Sequence, residues 1–160
     1  MQEYIDFGEW SIFLTRRMNS QQIPIGAGTD TPILLAVPGY SLHAELEYLV
    51  SAGLSPLEAL ESATLRPAEY FSLQDEMGTI DAGKKADLVV LDANPLKDIA
   101  NTKKISGVVT KGRYYNTDSL QQLVQKFQQD PALGNRCRIT TGARGYEIEN
   151  QTRSNYAQPE

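Results

Sequence analysis

Few residues of this chain are equipped for chemistry, and they lie far apart. Asp30 follows a short apolar run, Ile23-Pro24-Ile25-Gly26-Ala27-Gly28, in the stretch Gly28-Thr29-Asp30-Thr31-Pro32. A carboxylate held at a strand end can take a proton from an attacking water and return it to a leaving group. General base and then general acid work of this kind is worth about 10²–10⁴-fold. On the tripeptide alone, an Asx-type turn in which Asp30 bonds its own backbone is the simpler role. His43 is the only histidine and Cys137 the only cysteine in 160 residues. One cysteine excludes an intrachain disulfide and any multi-cysteine zinc site. Cys137 lies in a polar stretch with no cationic cluster to activate it. A zinc site takes three or four protein ligands, and Asp30 with His43 supplies two at most. Asp87 and Asp92 flank an apolar strand and read as turn-stabilising groups rather than a catalytic pair.

The elements that must position these residues are legible in part. Tyr4, Phe7, Ser11, Leu14 and Met18 recur every three or four residues, which predicts a helix over 2–20 with one apolar face, and Trp10, Ile12 and Phe13 leave open a helix covered on more than one side. Residues 23–28 read as a buried strand stopping at the polar turn that carries Asp30. Residues 33–40 read as a loop. Ser41 is placed to cap a helix carrying Leu42, Leu46, Leu49 and Val50, closed by Gly53. Ser55-Pro56-Leu57-Glu58 combines an N-cap serine, a first-turn proline and a capping-box glutamate. Arg66-Pro67 restarts a short helix. After Met77 the pattern changes. Gly78–Gly83 reads as a short strand and turn, and Ala86–Asp92 and Ile105–Thr110 as strands. Lys111-Gly112 reads as a turn into Arg113-Tyr114-Tyr115, giving a small sheet. Leu120, Leu123, Val124 and Phe127 mark a last amphipathic helix, stopped at Asp130-Pro131. Residues 132–160 read as a polar, poorly ordered tail.

Composition narrows the class. At 41% hydrophobic and 22% charged residues the chain is globular in type, with a length prior of about one domain. A complete (β/α)8 barrel takes roughly 250 residues and rarely fewer than about 200. Fifteen Lys+Arg against twenty Asp+Glu give a net charge of −5. No long basic block follows a phosphate backbone, so nucleic acid is not an expected partner. No stretch approaches the length of a transmembrane helix, and Met1–Asp6 has no signal-peptide pattern. No membrane association and a cytoplasmic location are the expectation.

At Gly28-Thr29-Asp30 the sequence resembles the metal-dependent amidohydrolase superfamily. Three further stretches carry the resemblance in the same order. Pro38-Gly39-Tyr40-Ser41-Leu42-His43-Ala44-Glu45-Leu46 precedes Ala52–Leu60. Ala63-Thr64-Leu65-Arg66-Pro67-Ala68 follows, with Arg66 where family members often have Asn. Gly78–Asp92 with Asn94-Pro95 completes it. The resemblance covers residues 5–116 and points to the imidazolonepropionase-like and amide- or dipeptide-cleaving branch.

The resemblance implies an α/β fold: the last strand and closing helices of a (β/α)8 barrel in residues 1–76, with the barrel incomplete in this chain. It implies strands of an accompanying small β-sandwich in residues 77–116, with a helix over 117–131 after them. It also implies a divalent metal, zinc above all, in the complete enzyme. Asp30 matches the metal-ligand aspartate after the eighth strand, which also acts as general base and acid. His43 falls near the active-site mouth, where substrate contact or a supporting hydrogen bond is open to it. A helix-surface histidine satisfied by a neighbour is the plainer alternative. The family's His-x-His pair and first seven barrel strands have no counterpart in the sequence.

The expected function is therefore part of a hydrolase of carbon–nitrogen bonds in small amides, cyclic amides or dipeptide-like substrates. The isolated chain is expected to be inactive and to bind no metal tightly. The competing expectation is a non-catalytic remnant that self-associates through the unpaired edges of strand 23–28.

Overall fold

The structure is a computed structural model, and it describes residues 2–31, 36–129, 138–142 and 145–149. Among the described residues it is a helical layer followed by a three-stranded antiparallel sheet, a fifth helix and a separate hairpin. None of the helices among the described residues is long and apolar enough to cross a membrane.

Helix α1 spans Gln2–Ser20. The face it turns inward is Ser11, Ile12, Thr15, Met18 and Asn19, rotated from the aromatic face that the spacing predicts. Phe7, Trp10 and Phe13 are 66%, 56% and 62% exposed, and the Phe7 and Trp10 rings stack at 6.2 Å. The helix is fastened by polar contacts instead: Arg16 donates to the Ser51 carbonyl and Asn19 to the Gly53 carbonyl. It closes with Gln22 at φ 56° and the Ile23 amide donating back to Met18.

Residues 23–29 then run extended, but they are not a strand. A barrel strand exists only through hydrogen bonds to neighbours, and no parallel partner is present among the described residues. Instead the Ala27 amide donates to the Ser62 carbonyl at 2.8 Å. Ile25 and Ala27 point inward with a period of two and pack on the core, as the pleat requires.

Helix α2 spans Tyr40–Ser51 and α3 spans Pro56–Ala63. Ser41 does not cap α2; its Oγ accepts from the Val37 amide in the loop before it. Gly53 takes φ 108° just past the helix end, where an L side chain would be strained. The Ser55–Glu58 capping box forms in full. Helix α4, Leu65–Tyr70, follows. Leu46, Leu49, Leu54, Ala59 and Ile99 form the core. Gly78, at φ 96°, lies against α4 so closely that a Cβ there would be 2.7 Å from the Cβ of Ala68. Residues 78–83 are turns rather than a strand, because that contact and two positive-φ glycines bend the chain.

The sheet is β1 (Leu88–Leu91), β2 (Ile105–Thr110) and β3 (Arg113–Asn116), with β2 central. Lys111 and Gly112 both have positive φ, 51° and 74°, the two-residue hairpin geometry that matches strand twist. The Asp87 carboxylate accepts from the Lys111 amide at 2.7 Å. That bond holds its carboxyl below the usual range. Between β1 and β2 lies a 3₁₀ helix, Ile99–Lys103, capped by Asp98. It supplies Ile99 to the core and packs on α2. Helix α5 spans Thr117–Gln129.

In the tail that the composition marks as poorly ordered, β4 (Arg138–Gly142) pairs antiparallel with β5 (Gly145–Glu149). Alternating Ile139, Thr141, Tyr146 and Ile148 suit strands. Cys137, residues 32–35 and the stop at Asp130-Pro131 lie outside the described residues, as does the rest of the tail.

Candidate active site

Asp30 sits at the end of the extended segment with φ 51°, a conformation Asp tolerates better than most residues. It is exposed. Among the described residues its carboxylate accepts no hydrogen bond and meets no cation. The residue two places on is Pro32, which has no N–H. An Asx turn to that position cannot close, so the simpler role weighed for Asp30 has no donor there.

The segment before it is gripped from two sides. Ser62 of α3 takes the Ala27 amide. Glu45 of α2 takes the next one: Gly28 N–H donates to Glu45 Oε1 at 2.6 Å. Glu45 carries no motif that names it as a site residue. Its signal was nonetheless present, because Leu42, Glu45, Leu46 and Leu49 fall at i, i+3, i+4 and i+7. A charged residue stands in the apolar stripe of the helix.

His43 lies about 200° around the helix from Glu45 and is engaged elsewhere. Its Nδ1 is 3.0 Å from Thr102 Oγ1. The Thr102 hydroxyl gives its one hydrogen to the Ile99 carbonyl at 2.8 Å, so it accepts from His43 Nδ1–H. The network therefore assigns the tautomer, with Nε2 left as the acceptor nitrogen. Burial, and then the Lys103 charge, lower the His43 pKa, while Glu47 pulls it up. Glu47 and Lys103 pair at 2.6 Å beside it. The structure does not join His43 and Asp30 through any shared hydrogen bond among the described residues. It sets them on different attachments of one helix.

No group of three or more His, Cys, Asp or Glu side chains among the described residues can hold a metal ion. Asp30 offers one free carboxylate and fits a single donor position, not a complete site. A polar cavity of about 390 Å³ lies at the opposite end of segment 23–30, between Gln22, Ile25, Glu61 and Arg66. Arg66 is paired there with Glu61 and Glu69. Neither Asp30 nor His43 lines it.

Comparison with known proteins places this arrangement. The sequence pattern of the Amidohydrolase family matches residues 12–114. A 5'-deoxyadenosine deaminase of Methanobrevibacter smithii is 29% identical over 108 residues, covering 62% of this chain and 25% of that protein. The structure of a Xaa-Pro dipeptidase with bound methionine superposes with a TM-score of 0.60 at 28% identity, covering 66% of this chain and 25% of the other. Molinate hydrolase superposes with a TM-score of 0.57 at 31% identity, covering 68% and 27%. The fold and the sequence together are those of an amidohydrolase. This chain belongs to the Amidohydrolase family. It spans about a quarter of the length of these three relatives.

Proposed function

We propose that the chain is the C-terminal portion of a metal-dependent hydrolase that cleaves carbon–nitrogen bonds in small molecules: amides, cyclic amides or dipeptide-like substrates. One observation carries the reading. Asp30 ends an extended segment with its carboxylate unengaged among the described residues, inside the stretch that matches the family. The names of the relatives, a deaminase and a dipeptidase among them, agree with water-driven cleavage of such bonds.

In this reading residues 1–76 close a (β/α)8 barrel, 77–116 add strands to a small β-sandwich beside it, and 117–131 form a terminal helix. Segment 23–28 becomes a strand when barrel neighbours pair with it. Asp30 then stands at the C-terminal strand end, where barrel chemistry is done. Asp30 would be one of the residues holding a divalent metal, zinc above all, together with ligands beyond this chain; when bound, that metal would supply an acidified water. The Asp30 carboxylate would take up a proton from the attacking water and return it to the leaving nitrogen. His43, one turn into α2, would be the substrate-contacting residue of this reading through Nε2, the nitrogen its bond to Thr102 leaves as an acceptor. With fewer than three ligands, the isolated chain is inactive and holds zinc weakly.

The test joins this chain to the coding region upstream. That region is expected to encode a strand followed by His-x-His. The joined protein hydrolyses amides or deaminates, and Asp30→Asn loses at least about 10²-fold in rate together with bound metal. Full activity in Asp30→Asn overturns the reading. So does sub-micromolar zinc binding by the 160-residue chain alone. The exposed Phe7, Trp10 and Phe13 favour a second reading, a self-associating module. A defined oligomer of this chain with no His-x-His upstream would select it.

A further inference from the structure

Glu45 is turned the wrong way for a surface glutamate. It occupies the apolar stripe of α2 between Leu42 and Leu49, and Leu46 and Leu49 of that stripe are core residues. A glutamate with no task would direct its carboxylate to water, since burying a charge is costly unless it is hydrogen-bonded. Here Oε1 accepts from the Gly28 amide at 2.6 Å, the short range of charge-assisted bonds. Oε2 is buried with no partner among the described residues. One oxygen, Oε2, has thus given up solvent without a partner among the described residues, and the other has gained one backbone donor.

That donor is the amide two residues before Asp30. The Ala27 amide is already fixed by Ser62. With Gly28 fixed as well, successive peptide groups are tied to two different helices just before the chain turns into its left-handed residue, Asp30. Gly28 has no neighbouring atom within 4 Å of where a Cβ would stand. Among the described residues no side chain fills that space, and the hydrogen bond to Glu45 is the contact recorded for the Gly28 amide.

We propose that Glu45 is a positioning residue for Asp30: its carboxylate holds the Gly28 amide from α2 and so fixes where the Asp30 carboxylate leaves the segment. The inference rests on the function proposed for Asp30, and it deepens that reading by naming what aims the side chain. A misplacement of about 1 Å at a reacting group can cost about 10²-fold, so the aim has kinetic consequences.

Two measurements test it. In this chain, amide hydrogen exchange read by NMR should show Gly28 protected. Protection should fall in Glu45→Gln, which keeps an acceptor oxygen without the charge, and vanish in Glu45→Ala. Parental exchange at Gly28 in both variants overturns the proposal. In the protein joined to its upstream region, Glu45→Ala should lower kcat by about 10²-fold with KM within about twofold, and Glu45→Gln should recover part of the loss. A merely structural glutamate would lower the melting temperature of both variants and leave kcat unchanged below it, and that outcome overturns the proposal. If Glu45→Ala does not fold, Glu45→Gln decides by the same two readouts. The two readings fail separately. Activity surviving Asp30→Asn removes the role of Asp30, whereas loss in Asp30→Asn with parental kcat in both Glu45 variants removes only the role of Glu45.

Discussion

His43 donates through Nδ1 to Thr102 Oγ1 at 3.0 Å, and so fastens α2 to the 3₁₀ helix that precedes β2. The pH dependence of this joint has a definite sign. Burial, then Lys103, lower the folded-state pKa of His43 below its usual 6.5, against the pull of Glu47. The unfolded chain therefore binds the proton more readily. Stability from this site is complete above the unfolded value and is lost as pH falls through 6.5 toward the folded value. Urea unfolding at pH 5 and pH 7.5 should show the parent losing more stability at pH 5 than His43→Gln does. An equal loss in both would contradict the assignment.

Thr102 is the other half of the joint and is 6% exposed. Thr102→Val keeps the shape but strands the His43 Nδ1–H. The expected cost is about 1–3 kcal/mol, read from the shift of the denaturation midpoint at pH 7.5. In Thr102→Val the ring loses its fixed tautomer, and nitrogen NMR shifts of His43 should move toward a mixture.

The capping box at Ser55 offers a second check on pH. Ser55 N–H and Oγ–H both donate to Glu58 Oε2 at 2.7 Å. These bonds hold the Glu58 carboxyl below its usual 4.5. Its contribution is present above the unfolded pKa and fades as pH drops through the folded one. Ser55→Ala should cost about 0.5–2 kcal/mol at neutral pH and less in acid, by thermal melting at both pH values.

Two glycines should respond oppositely to alanine. Gly78 has φ 96°, and a Cβ would meet the Ala68 Cβ at 2.7 Å and the Thr64 carbonyl at 3.2 Å. Gly78→Ala should lose about 1–3 kcal/mol or more. Gly8 lies within α1 with nothing within 4 Å of its added Cβ, so Gly8→Ala should gain about 0.5–1 kcal/mol. Melting curves of the two variants should fall on opposite sides of the parent.

Local signals in the sequence reached as far as local forces do. Ser55, Pro56 and Glu58 marked the start of α3, and Lys111-Gly112 marked the β2–β3 turn, because caps and two-residue turns are decided by neighbours in sequence. Segment 23–28 read as a strand because its apolar residues supply the pleat, but pairing needs partners, and none lies beside it among the described residues. The inward face of α1 differs from the one the spacing suggests because Arg16 and Asn19, not Phe7 and Leu14, find partners, at the last residue of α2 and in the turn after it. At the candidate site, Asp30 was legible as a carboxylate at the end of an apolar run. Its support was not, since Glu45 is 17 residues away from the amide it holds. Thr102, the partner of His43, was hidden for the same reason, at a separation of 59 residues.

The outward face of α1 provides a built-in optical gauge. Trp10 is the sole tryptophan of the chain, and it lies on that face, stacked on Phe7 and 56% exposed. With excitation at the red edge, where the tyrosines do not absorb, its emission therefore reports the surroundings of this face of α1. The lone chain should emit in the red, be quenched readily by iodide or acrylamide, and shift to the blue once another surface closes over the helix. A single fluorescence spectrum, taken before any assay of catalysis, would register whether this polypeptide has met its complement.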